Sequence, residues 1–209
     1  MNGDQISVNT QSSIRIAGNK ILYFDPFKIG AESHDADFIF ITHAHYDHLD
    51  PGSIGKVMKD DTVFVFPETM KKDLLQFTVR NKGMALKAGD KANIDSLRIH
   101  AVPAYNKLKP FHPKRNGWLG YVVTMDETTY YVAGDTDNVK ELQDISCDIA
   151  FVPIGGTFTM NPKEAAELVN AMRPGEVIPI HYGSIVGTKE DAESFLKLVD
   201  KDIQVLIKL

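Results

Sequence analysis

Six consecutive residues constrain this chain more than any others: His43-Ala44-His45-Tyr46-Asp47-His48 places four potential metal ligands directly after the apolar run Phe38-Ile39-Phe40-Ile41. Three imidazoles and a carboxylate this close would repel on protonation and run short of backbone partners, whereas a divalent cation satisfies nitrogen and oxygen donors together. Side chains two apart in extended backbone point the same way, so His43 and His45 can grip one metal while the tightening turn redirects Asp47 and His48 toward a second. A fold that accepts this run must end a buried strand at an open edge.

Two later segments share that local design. Tyr130-Tyr131-Val132-Ala133 leads into Gly134-Asp135-Thr136, and Val177-Ile178-Pro179-Ile180 leads into His181-Tyr182-Gly183. Open α/β sheets gather their sites beyond the carboxyl ends of strands, so all three segments can deliver ligands to one edge. The intervening pattern agrees with an α/β chain. Ser13 to Ala17 and Ile21 to Phe24 read as a hairpin turning at Gly18-Asn19. Thr62 to Phe66, Ser96 to Val102, Trp118 to Met125, Thr128 to Ala133, Glu176 to Ile180 and Ile203 to Ile207 read as strands. Pro51 to Met58, Glu68 to Phe77 and Glu190 to Val199 read as helices. So does the segment after Asn161-Pro162-Lys163-Glu164, which supplies an N-cap, an N1 proline and a first-turn carboxylate before Ala165, Leu168, Val169 and Met172 recur at helical spacing.

No repeat or linker interrupts the 209 residues, and the chain is expected to form one domain over 1–209. A formal charge of -5, with both signs scattered, lacks the basic excess of a nucleic-acid binder. The lone Cys147, the absence of a signal-like start and the absence of a bilayer-length apolar stretch lead to the expectation of a cytoplasmic location without a transmembrane segment.

The order H-x-H-x-D-H, then a Gly-Asp-Thr turn, then a final His resembles the metallo-β-lactamase superfamily over nearly the whole chain. The resemblance implies a four-layer αββα sandwich with metals in a cleft at one edge of the sheets. It also implies His43 and His45 as ligands of a first metal, Asp47, His48 and His181 as ligands of a second, and Asp135 as a bridge. Asp25-Pro26-Phe27, Val102-Pro103-Ala104-Tyr105-Asn106, His112-Pro113-Lys114 and Pro153-Ile154-Gly155-Gly156 resemble, more narrowly, a branch of small uncharacterised hydrolases. That branch is related to ascorbate phosphate lactonases and to the phospholipase that cleaves N-acyl-phosphatidylethanolamine. Where that phospholipase carries its central His, this chain has Asn106. Either the Asn106 amide oxygen replaces the imidazole, which is the reading placed first, or His112 reaches in from the following loop, or the first site keeps two protein nitrogens.

The expected function is metal-dependent hydrolysis of an ester, lactone or phosphodiester of a small molecule, through a pair of divalent cations, zinc first and manganese or iron as alternatives. Asp47 or Asp135 orients the water and His112, or a water, protonates the leaving group. A di-iron redox protein and a non-catalytic metal-binding protein are the alternatives. Asp25 is expected to accept the spare N–H of a ligand imidazole, while His34 and His100 read as structural or solvated. Lys107, Lys109, Lys114, Arg115 and Trp118 border the loop from Ala104 to Gly117. They are either solvated or a grip for a phosphate or carboxylate, so an anionic substrate is one expectation. Gly155 to Met160 either line the cleft opposite or form a plain turn.

Overall fold

The computed structural model describes residues 5–209. Two sheets stack face to face. The first has the order β1 (Ile6–Val8), β2 (Ile14–Ala17), β3 (Ile21–Phe24), β4 (Ala36–Phe40), β5 (Met58–Pro67) and β6 (Lys82–Leu86). The second runs β7 (Lys91–Ile94), β8 (Leu97–Pro103), β9 (Leu119–Met125), β10 (Thr128–Val132), β11 (Ile149–Pro153), β12 (Glu176–Ile180) and β13 (Gln204–Val205), each bonded to the next. Inward side chains of both sheets, among them Phe24, Phe40, Tyr121, Val132, Phe151 and Ile180, form the central core. Helices α1 (Pro51–Val57) and α2 (Leu75–Thr78) cover the outside of the first sheet through Ile54, Val57, Leu74 and Phe77. Helices α3 (Pro162–Met172) and α4 (Lys189–Leu198) cover the second through Leu168, Val169 and Phe195. The layers are therefore αββα, the fold implied by the resemblance. Among the described residues, no helix is long and apolar enough to cross a membrane.

Most sequence-predicted elements form where patterning is strong. The β2–β3 hairpin pairs Ala17 with Ile21 across the Gly18-Asn19 turn. Helix α3 carries a complete capping box: Asn161 accepts from the Glu164 N–H while Glu164 accepts from the Asn161 N–H. The stretch Glu68 to Phe77 differs from expectation, splitting into a 3-10 turn at Glu68–Met70 and the single-turn α2. Met70, Leu74 and Phe77 keep helical spacing onto the sheet, but neither piece has a side-chain cap to hold its end. Strands β1, β6, β7 and β11 lie beyond the sequence reading, β7 because its residues are only half-buried or exposed along a sheet edge. The closing strand shortens to Gln204–Val205.

The topology decides where the chemistry sits. Strands β10, β11 and β12 are parallel, and β8 runs in the direction of β10 because each is antiparallel to β9. The segments leaving β8, β10 and β12 thus emerge at one edge. The exit of β4 is tied to that edge across the sandwich: Tyr121 donates its hydroxyl to Ile41 O at 2.7 Å, and Leu119 its N–H to Thr42 O at 3.1 Å.

Candidate metal centre

After β4 the chain closes a tight turn in which the His48 and Leu49 N–H groups both bond His45 O, at 3.0 and 2.8 Å. Asp50 then caps α1 by accepting from the Gly52 N–H. The turn is braced from behind by Asp25, which is fully buried and has a left-handed φ of 44°. Its carboxylate accepts the Thr42 N–H (2.8 Å), the Thr42 hydroxyl (2.6 Å) and the His48 Nδ1–H (2.7 Å). Because the Thr42 proton is committed to Asp25, Thr42 Oγ1 is left to accept from His43 Nδ1 at 2.9 Å. Both imidazoles are thereby held in the tautomer that leaves Nε2 to face the cleft. Burial pushes the Asp25 carboxyl up, against the pull of His48 and the Thr42 donors. Thr42 escapes sequence reasoning, because nothing in its spacing sets it apart.

The forward-facing donors assemble into two groups sharing Asp135. In the first, His43 Nε2 is 3.1 Å from His45 Nδ1 and 3.8 Å from Asp135 Oδ2, and His112 Nε2 is 3.2 Å from Asp135 Oδ2. In the second, His48 Nε2 lies 3.6 Å from Asp47 Oδ2 and 3.4 Å from Asp135 Oδ1, while His181 Nε2 lies 3.5 Å from Asp47 Oδ2 and 3.2 Å from Asp135 Oδ2. Donors about 2.0–2.2 Å from a tetrahedral cation sit about 3.3–3.6 Å apart, so these separations suit one ion per group. A further triad, Asp25, His43 and His48, is geometrically close, but the Asp25 oxygens already accept from Thr42 and His48.

The chemistry of the donors also fits a cation. Nε2 of His48, His112 and His181 and Oδ1 of Asp135 are buried without a hydrogen-bond partner among the described residues. Each such orphan costs about 1–3 kcal/mol, which a divalent ion at their common focus relieves. Burial would push Asp135 upward, but His181 and His48, helped by His112, outweigh it and hold this carboxyl well below the usual range. His181 is the converse: burial pulls its imidazole down, yet Asp135 and Asp47 raise it to about 10. Burial and the neighbouring His48 keep His43 well below its ordinary value. A cation at His181 Nε2 must therefore displace a proton at neutral pH, whereas one at His43 need not. Zinc added to the metal-free protein at pH 8 should release protons and bind more weakly as pH falls. Calorimetry in two buffers of different ionisation enthalpy measures that release, which His181→Ala should diminish.

Of the sequence-predicted ligands, His43, His45, Asp47, His48, Asp135 and His181 come together. Asn106 does not, and here the structure corrects the sequence reading. Its Oδ1 accepts the N–H and the Nδ1–H of His112, both at 3.0 Å, and its Nδ2 donates to Asp137 Oδ1 and Phe158 O. With both ends of the amide committed, Asn106 stands one layer behind, and His112 presents Nε2 in its place. Trp118 packs its ring against His43 and His45, at 4.9 Å between centroids in each case. His34 is exposed and His100 half-buried, both away from the cluster.

His181 follows β12 in a left-handed conformation, φ 58°, with its N–H held by Gln11 O at 2.9 Å. Gly155 makes this possible, since a Cβ there would lie 2.3 Å from His181 O. Gly155→Ala should therefore cost about 1–3 kcal/mol of stability and displace His181. Thermal unfolding should show a lower Tm, with less added stabilisation by zinc than in the parent.

The β-lactamase superfamily domain matches residues 5–182. The chain belongs to this superfamily. A UPF0173 metal-dependent hydrolase of Pyrococcus furiosus is 34% identical over 210 residues, spanning 92% of this chain and 90% of that protein. Its counterpart in Thermococcus onnurineus is 32% identical over 212 residues, spanning 94% and 92%. Among solved structures, a candidate metal-dependent hydrolase of Parabacteroides distasonis is 34% identical, with a TM-score of 0.82 over 98% of this chain and 92% of that one. Igni18, a metallo hydrolase of Ignicoccus hospitalis, shares the fold at a TM-score of 0.76 and 23% identity, over 97% and 94%. As a superfamily member the chain is a metal-dependent hydrolase, with a buried His/Asp cluster able to hold its metal.

Proposed function

We propose that this chain hydrolyses an ester, lactone or phosphodiester of a small molecule. In this reading His43, His45, His112 and Asp135 would hold one divalent cation, and Asp47, His48, His181 and Asp135 would hold a second. The observation that carries the reading is the convergence of four orphaned buried donor atoms on a cluster that opens into a cavity of about 240 Å³. Divalent cations supply Lewis acidity there and lower the pKa of water toward about 7. An imidazole-rich set without thiolate suits zinc, with manganese or iron as alternatives.

The side chains divide the remaining work. Asp135 offers one oxygen toward His48 and the other toward His112, His43 and His181, so it joins the two groups. Asp47 is buried but still lines the cavity, which suits it to accept a hydrogen bond from the attacking water and fix its direction. His112 has its Nδ1–H held by Asn106 and its Nε2 inside the donor group, leaving no proton for a departing group. Leaving-group protonation therefore passes to Asp47, once it has taken the proton of the water, or to solvent.

The test is metal analysis of the purified protein joined to a panel of esters, lactones and phosphodiesters. Turnover that survives Asp47→Ala and His181→Ala unchanged would sink the proposal. Iron retained in place of zinc, with an oxygen-sensitive visible band, would turn it toward redox chemistry.

A further inference from the structure

The basic loop beside the cluster does not face the place where substrate must sit. Lys109 donates to Asp137 Oδ1 at 2.8 Å and to Thr159 O at 2.6 Å. Lys114 bonds Glu141 at 2.8 Å and lies over the Tyr105 ring. Among the described residues lining the cavity, none is a lysine or arginine. Besides the donor side chains, the walls are Tyr46, Phe111, Phe158 and Ile185. Phe111 and Phe158 meet edge to face, with centroids 4.7 Å apart and planes at 88°.

This aromatic wall is built in advance. Phe111 precedes His112 on the loop between β8 and β9, and Phe158 belongs to the turn between β11 and α3. The two segments are latched by Asn106 Nδ2 to Phe158 O at 2.9 Å and by the Lys109 bond to Thr159 O. The loop cation is thus used to close the wall, and the wall stands next to a proposed ligand.

Resting on the hydrolytic reading, we infer that the non-reacting group of the substrate is uncharged and apolar, and that Phe111 and Phe158 select it. A cavity of about 240 Å³ matches a phenyl ring or a short acyl chain. An anionic tail placed against these rings would lose its hydration and find no cation there to replace it. The chemistry at the cluster can act on any polarised ester or lactone; the aromatic wall chooses among them.

The test uses the zinc-loaded full chain and three small hydroxamates that share one metal-seeking head: acetohydroxamic acid, benzohydroxamic acid and succinic acid monohydroxamate, each titrated by calorimetry. Benzohydroxamate is expected to bind about 10-fold more tightly than acetohydroxamate, and the succinate derivative no more tightly. Phe111→Ala and Phe158→Ala should each reduce the benzo-to-aceto ratio, and Phe111→Arg should reverse the order in favour of the carboxylated compound. Since Phe111 is 40% exposed, its replacements keep the fold even if those at Phe158 do not. Equal affinities for all three compounds, or a preference for the anion in the parent, overturn this inference alone. If no hydroxamate binds, the proposed metal centre fails and this inference with it.

Discussion

Asp135→Ala is expected to lower kcat/KM by at least ~10³-fold and to leave the protein with less than about one retained metal per chain. Asp135 alone belongs to both donor groups, with oxygens 3.2 Å from His112 and His181 Nε2 and 3.4 Å from His48 Nε2. It is also the negative charge that most raises His48 and His181 and so offsets their positive charge in the metal-free chain. Without it, each group keeps only imidazoles and, in one case, Asp47. Asp135→Asn preserves the volume but not the charge, so it should fall nearer to alanine than to the parent. The measurement is metal content by mass spectrometry beside turnover, with circular dichroism to check that the fold survives. A variant with full metal and full activity would remove Asp135 from the centre of the mechanism.

The second large effect separates His112 from Asn106. His112→Ala should abolish retention of the metal beside His43 and His45, and activity with it. Asn106→Ala should keep the number of binding sites but weaken that one about 10–100-fold, the usual consequence of losing the partner that orients a ligand imidazole. The contrast follows from geometry: the amide oxygen of Asn106 is occupied by two donors of His112, while His112 Nε2 is buried and unpartnered. Competition with a chromophoric chelator measures both affinities. The reverse ranking, with His112→Ala retaining both metals and Asn106→Ala losing one, would restore the amide as ligand.

The comparison of Asn106 with the His43 to His48 turn explains which parts of the site a sequence discloses. In the turn, all four donors are placed by consecutive backbone dihedrals and by two hydrogen bonds to His45 O, so spacing alone carries the geometry. Helix α3 is legible for the same reason, its cap and its partner being three residues apart. The loop from Ala104 to Gly117 has no such internal determinant. Its course is dictated by bonds from Asn106 to Asp137 and Phe158, 31 and 52 residues away, and from Lys109 to Thr159, 50 residues away. Asn106 therefore read as a ligand, and Lys109 as solvated charge or an anion grip, because the partners that engage them are invisible at short range.

What the amino-acid order determined by itself was local: strand alternation, the capped helix, and the histidine run whose mutual repulsion calls for a cation. Only the tertiary structure decided that His112 rather than Asn106 turns an unpartnered atom toward the cluster, that Thr42 and Asp25 set the tautomers, and that aromatic rings rather than lysines face the cavity. The physical reason is range. Dihedral preferences and side-chain periodicity act over a few residues, whereas the direction in which a long loop turns its side chains depends on hydrogen bonds closed only after both sheets have packed.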